Sequence, residues 1–138
     1  MKHVKKYKTR EQLDSDLKKI LSHFIKFLNE LGFKNENYLT ASNWQTDFSI
    51  DGTDIFYISM AMNFQLDVII VNFDIYKSYS LLESFIEYLK TKIEYTEQYS
   101  SMGRENIRFK ITGEADNLIN SISIPDFEIF MDSKKYNL

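Results

Sequence analysis

From Leu13 to Leu31 apolar residues recur at spacings of three and four (Leu13, Leu17, Ile20, Leu21, Phe24, Leu28, Leu31), and at Gly32 that rhythm stops. Further on they alternate instead: Phe48 and Ile50, then Phe56, Ile58, Met60 and Met62. A period near 3.6 followed by a period of 2 calls for a helix buried by one stripe and strands buried by one face, which makes the chain α+β. The helix is expected from about Thr9 to Leu31. Thr9-Arg10-Glu11-Gln12 is a capping box at its start. At its end, a left-handed Gly32 would let Phe33 fold back on Leu28, the apolar contact of a Schellman stop.

Residues 44 to 73 read as three antiparallel strands, and the first turn sets their register. A two-residue Asp51-Gly52 loop pairs Ile50 with Thr53 and Phe48 with Ile55, sending Phe56, Ile58 and Met60 to the opposite face. A three-residue loop, Ile50-Asp51-Gly52 with Gly52 left-handed as a bulge, unites the apolar residues on one face and is the expectation. The other face then carries Gln45, Asp47, Ser49, Tyr57 and Ser59. Leu66 to Phe73 lacks clean alternation and reads as a central strand covered on both sides.

A second helix is expected to open at the capping box Ser80-Leu81-Leu82-Glu83, to bury Leu82, Phe85, Ile86, Leu89 and Ile93, and to end near Glu97. Asn106 to Thr112 alternates Ile107, Phe109 and Ile111 with Arg108 and Lys110 and reads as a fourth strand. Residues 114 to 124 fit a short helix or a strand equally, and Pro125 should end either. Phe127, Ile129 and Met131 then suggest a last edge strand. The expected order is α-β-β-β-α-β-(α or β)-β, an antiparallel sheet of four or five strands covered by two helices.

At 138 residues the chain suits one α+β domain, residues 1–138 with 1–8 as a basic flexible tail, able to bury roughly two thirds of its unfolded surface. It has no cysteine, which removes disulfides, thiolate nucleophiles and the common zinc sites, and a reducing cytoplasm is the expected setting. The basic start is followed by no apolar core of a signal peptide, and no apolar run reaches membrane-spanning length.

Catalytic and metal motifs are incomplete. Asp47-Phe48-Ser49-Ile50-Asp51-Gly52 matches the first half of a calcium loop, but Ile58 stands where the bidentate glutamate belongs and the flanks read as strands. His3 lies in the tail and His23 beside the helix stripe, away from strand ends where a nucleophile would need a base. No two glycines are closer than ten residues, so no phosphate loop exists. Asp74-Ile75-Tyr76-Lys77 has one spacer too many for a restriction-type nuclease strand, and Asp67 and Asp74 read as exposed strand-end acids. The expectation is a protein that is not an enzyme and takes no cofactor or metal.

Charge is unevenly distributed. Residues 1–34 carry a net +5, residues 35–97 a net −7 and residues 98–138 a net −1. Five of the nine tyrosines, Tyr76, Tyr79, Tyr88, Tyr95 and Tyr99, fall in the acidic middle. On a helix, Tyr88, Lys92, Tyr95 and Tyr99 would form one stripe beside Glu83, Glu87, Glu94 and Glu97. Exposed tyrosines ringed by carboxylates suit a basic protein partner, because the rings offer rigid contact area and the charges steer. The expected function is therefore a small protein-binding module that masks a basic surface as a stoichiometric inhibitor. Toxin-immunity and phage anti-defence proteins are analogous in size and surface. The alternative partner is nucleic acid, through Lys2, Lys5, Lys6, Lys8, Arg10, Lys18, Lys19 and Lys26.

Overall fold

The computed structural model describes residues 10–35, 45–62, 67–74, 79–99, 103–111 and 114–135. Along the chain run α1 (Arg10–Glu30), β1 (Lys34–Asn35), β2 (Gln45–Ile50), β3 (Thr53–Met62), β4 (Asp67–Asp74), α2 (Ser80–Lys90), β5 (Tyr95–Tyr99), β6 (Arg104–Ile111), α3 (Ala115–Ser121) and α4 (Ile124–Lys135). The six strands form one antiparallel sheet in the order β1-β2-β3-β4-β6-β5. The α+β class is as expected, with six strands where four or five were.

The stop of α1 follows its sequence closely. Phe33 N–H donates to Leu28 O at 3.0 Å and Gly32 N–H to Asn29 O at 3.1 Å, the two bonds of a Schellman motif, with Gly32 at φ 108°. Phe33 is buried, so the turn that ends the helix also delivers a core residue. Thr9 lies outside the described residues.

At the first hairpin the structure departs from the expected loop and keeps the expected face. Ile50 pairs with Thr53 across a two-residue Asp51-Gly52 turn, with φ 51° and 79°, both positive as a type I′ turn requires. The bulge sits one step further along, where Ser49 pairs with Asp54 and Phe48 with Phe56, leaving Ile55 unopposed. Phe48 thereby stacks on Phe56 at 4.8 Å and shares a face with Ile58, as the three-residue loop was meant to achieve. Ser49, expected on the polar face, is buried and its hydroxyl donates to Lys34 O.

One face of the sheet carries Phe48, Phe56, Ile58, Met60, Ile69, Val71, Ile107 and Phe109, which form a single core with Leu17, Leu21, Phe24 and Leu28 of α1 and Leu82, Phe85 and Leu89 of α2. The register of β2 to β6 puts Asp47, Tyr57, Asn72, Asn106 and Gln98 in one row across the opposite face and Gln45, Ser59, Ile70, Arg108 and Thr96 in the next. β4 is central, but Ile70 and Asn72 on that second face are half-buried, so the expected cover on both sides is not complete.

Three further expectations are corrected. Helix α2 begins at Ser80 with Tyr79 as its cap residue and no side-chain capping bond, so Ser80-Leu81-Leu82-Glu83 is not a capping box. It ends at Lys90, where the N–H groups of Lys92 and Ile93 close on Leu89 O and the Thr91 hydroxyl bonds Tyr88 O. Tyr95-Thr96-Glu97-Gln98-Tyr99 then pairs with β6 as a strand, in keeping with its β-branched and aromatic content. Residues 115–121 are helical, and the supposed last strand is α4. Pro125 stands in the first turn of α4, where its missing N–H costs nothing, and Ser123 Oγ accepts from Asp126 N–H at 3.2 Å to start the helix. Phe127 is buried and Ile129 exposed because the true spacing is helical.

Candidate functional site

The acidic middle of the chain converges on a cleft of about 190 Å³ between α2 and the sheet, lined by Phe73, Glu83, Ile86, Glu87, Lys90, Glu105 and Ile107. Glu83 and Glu87 are one helical turn apart on the exposed flank of α2, beside the Leu82-Phe85-Ile86-Leu89 stripe that seats the helix. Glu105 comes from β6, on the same side of the strand as Ile107 and Phe109. Glu97 joins them from β5, opposite Ile107.

Lys90 pairs with two of these carboxylates. Its ammonium is ion-paired with Glu97, lies 3.3 Å from Glu87 Oε1 and stands 5.1 Å over the ring of Tyr95. Burial alone would draw the Lys90 pKa down. The hydrogen bonds to Glu97 and Glu87, with the charges of both, outweigh it and hold the pKa above the usual lysine value. The lysine is thus held as a cation by Glu87 and Glu97, with Glu83 and Glu105 lining the same cleft. The apolar lining is Phe73, half-buried, with Ile86 and Ile107 already buried beneath it.

The expected partner-binding residues divide. Glu83, Glu87 and Glu97 are brought together, and Tyr95 is exposed at 40% on the rim of the same corner. Glu94 turns away, with its carboxylate 3.9 Å from Lys110 Nζ on the other face of the sheet. Tyr79 is half-buried with its ring edge-on to Phe33, and Tyr76 lies outside the described residues. Tyr99 is the last residue of β5. The helical stripe Tyr88-Lys92-Tyr95-Tyr99 does not exist, since the helix stops before Lys92.

Tyr88 is the plainest correction, because it is 1% exposed. Its ring packs between Phe27, at 6.0 Å, and Phe127, at 5.2 Å. Its hydroxyl donates to Asp126 Oδ2 at 2.8 Å and accepts from Ser123 N–H at 3.3 Å, while Lys92 Nζ reaches the same Asp126 at 2.8 Å. Tyr88 therefore ties α4 to α2 instead of facing a partner. Two members of the acidic corner, Lys90 and Glu105, were missed by the sequence reading. The signal for Glu105 was present, since it shares the strand parity of Ile107 and Phe109.

Elsewhere the chemistry is sparse. A shallow groove between α1 and α3 is lined by Ser15, Lys18, Lys19, Ser22, His23 and Ile119, but Lys19 is paired with Asp116 at 3.4 Å and His23 Nε2 donates to Ile122 O at 2.7 Å. The basic tail proposed for nucleic acid lies outside the described residues. Asp67 and Asp74 sit at opposite ends of β4, so their backbones are roughly 23 Å apart at the usual rise per residue, too far for paired carboxylates. Among the described residues no group of three or more His, Asp or Glu is placed to hold a metal ion, and no helix is long and apolar enough to cross a membrane. No protein-family model, curated protein or solved structure matches the chain.

Proposed function

We propose that this chain is a non-catalytic protein-binding module, a stoichiometric inhibitor that masks a basic surface of another protein, in the manner of toxin-immunity or phage anti-defence proteins. The observation that carries the reading is the convergence of Glu83, Glu87 and Glu105 on one cleft, where Lys90 is paired with Glu87 and Glu97 and the exposed ring of Tyr95 stands beside it. A surface of this kind steers a cationic partner by its field and gains contact from the ring. The tyrosines contribute less than their number in the sequence promised, because Tyr88 is spent on the core and Tyr79 is half-buried against it.

The test is affinity capture with the full chain as bait from a lysate of the source cell, comparing it with the double variant Glu83→Lys/Glu87→Lys. The expected result is one basic protein retained in equal stoichiometry by the native chain and lost by the variant, with an unchanged thermal midpoint. Retention of that protein by both baits would place the binding surface elsewhere.

A further inference from the structure

Of the four glycines, Gly52 alone follows an aspartate, and the chain contains no Asn-Gly step. Asp51 and Gly52 stand exposed at the tip of the β2–β3 hairpin, and nothing lies within 4 Å of a Cβ built on Gly52. Ile50 pairs with Thr53, so the hydrogen bond that closes the turn runs between those two residues and the Gly52 N–H takes no part in it. A backbone nitrogen with no side chain of its own to shield it thus follows directly on a carboxyl that faces water.

We propose that Asp51 is a site of spontaneous covalent modification, where the backbone of the folded hairpin isomerises to isoaspartate through a cyclic imide. The Gly52 nitrogen attacks Asp51 Cγ. The N–Cγ bond forms, the Cγ–OH bond of the carboxylic acid breaks, and that hydroxyl leaves with the amide proton as water. Water then adds back to one of the two imide carbonyls. Opening at Cγ restores aspartate. Opening at the Asp51 backbone carbon breaks the original peptide bond and leaves the chain running through Cβ and Cγ, at unchanged mass and with one more bond in the loop.

Turn geometry gates the reaction. Ring closure needs Cβ and the Gly52 nitrogen eclipsed about the Cα–C bond of Asp51, which in an L residue is a ψ of about −120°, whereas a type I′ turn holds ψ at about +30° and turns the nitrogen away. The other two-residue hairpin turn, type II′, combines a φ of about +60° with a ψ of about −120° at the same position. Asp51 already has φ 51°. Rotation of the single Asp51–Gly52 peptide plane therefore converts one turn into the other and leaves Ile50 opposite Thr53. That rotation reverses the sign of φ at residue 52, which glycine accepts in either sense. The flipped turn is a minor form, since an aspartate with that φ and ψ is strained. The two Asp-Ser steps, Asp14-Ser15 and Asp132-Ser133, lie inside α1 and α4, where ψ is held at about −42° and the serine N–H is tied into the helix.

The test ages the full native chain and the variant Asp51→Asn in warm neutral buffer, each with and without urea below the unfolding transition, beside fully unfolded samples. Asn-Gly also suits a type I′ turn, so the variant keeps the hairpin, and it closes the same imide with loss of ammonia, which mass spectrometry counts. In the native chain, a protease that cuts before aspartate and not before isoaspartate locates the product. The expected result is isoaspartate at position 51 of the folded chain ahead of every other aspartate, with ammonia lost from the folded variant at a rate that urea leaves unchanged, because a peptide flip exposes no new surface. A rate that climbs by about fivefold or more with about 1 M urea would mean that the ring closes only in opened chains, and would overturn the proposal. So would an unmodified position 51 in the folded native chain under conditions where the unfolded chain is converted.

Discussion

Tyr88 is a buried phenol whose hydroxyl donates to Asp126 and accepts from Ser123 N–H. Removing that oxygen in Tyr88→Phe leaves the ring contacts with Phe27 and Phe127 in place and takes a donor from Asp126 and an acceptor from Ser123 N–H. The expected loss is about 1–2 kcal/mol, read by urea unfolding near neutral pH, with α4 the first element to lose amide protection. An unchanged midpoint would mean that water replaces the hydroxyl without cost. Arg108 and Asn106 predict the opposite sign. The Nε of one and the Oδ1 of the other are buried without hydrogen-bond partners on the polar side of the sheet. Arg108→Met should therefore leave stability unchanged or raise it by up to about 1 kcal/mol, because an apolar chain of similar length has no such group to desolvate.

At the level of elements, the glycines isolate backbone conformation from packing. Nothing lies within 4 Å of a Cβ built on Gly32 or Gly52, yet their φ angles are 108° and 79°. Gly32→Ala and Gly52→Ala should each cost about 1–2 kcal/mol through backbone strain alone, as measured by unfolding midpoints. Both glycines were legible from the sequence because each needs only its neighbours: Gly32 a stripe that stops, Gly52 an aspartate before it and alternation on either side. The boundary of α2 was not legible, since Tyr88, Lys92, Tyr95 and Tyr99 fit a helical spacing and only pairing with β6 selects a strand. Phe127, Ile129 and Met131 misled in the other direction, because alternation over three positions also occurs on a helix when Phe130 packs as well. The local signals for a helix there are Ser123 as its cap and Pro125 in its first turn. In the acidic corner, Glu83 and Glu87 were readable from one helix, while Glu105 and Lys90 join only through the tertiary meeting of α2 with β6.

For the molecule as a whole, three of the described residues act on the range of pH over which it is stable. Hydrogen bonds from Lys92 and Tyr88 hold the Asp126 carboxyl below its usual 3.8, against the opposing effect of burial. Its contribution is present above that value and is lost as the pH falls through the folded pKa. Burial and the bond to Asp126 push the Tyr88 phenol above its usual 10.0, and the partners of Lys90 raise that ammonium above 10.5. Their contributions are present below those values and are lost as the pH rises through the folded pKa values. Thermal midpoints should be level between about pH 5 and 9 and fall on both sides, more steeply on the alkaline side for the native chain than for Tyr88→Phe. An identical alkaline limb in the two proteins would remove Tyr88 from this account.

The unopposed Ile55 leaves the chain a spare residue. Loss of one amino acid inside a ten-residue strand ordinarily turns half of its side chains over. Excising Ile55 instead lets Asp54 and Phe56 stand as neighbours opposite Ser49 and Phe48, with every pairing from Phe56 to Met62 retained. In a scan of single-codon deletions through this sheet, codon 55 is the one expected to yield folded protein, weakened by the lost methyl contacts of one half-buried isoleucine but correctly threaded.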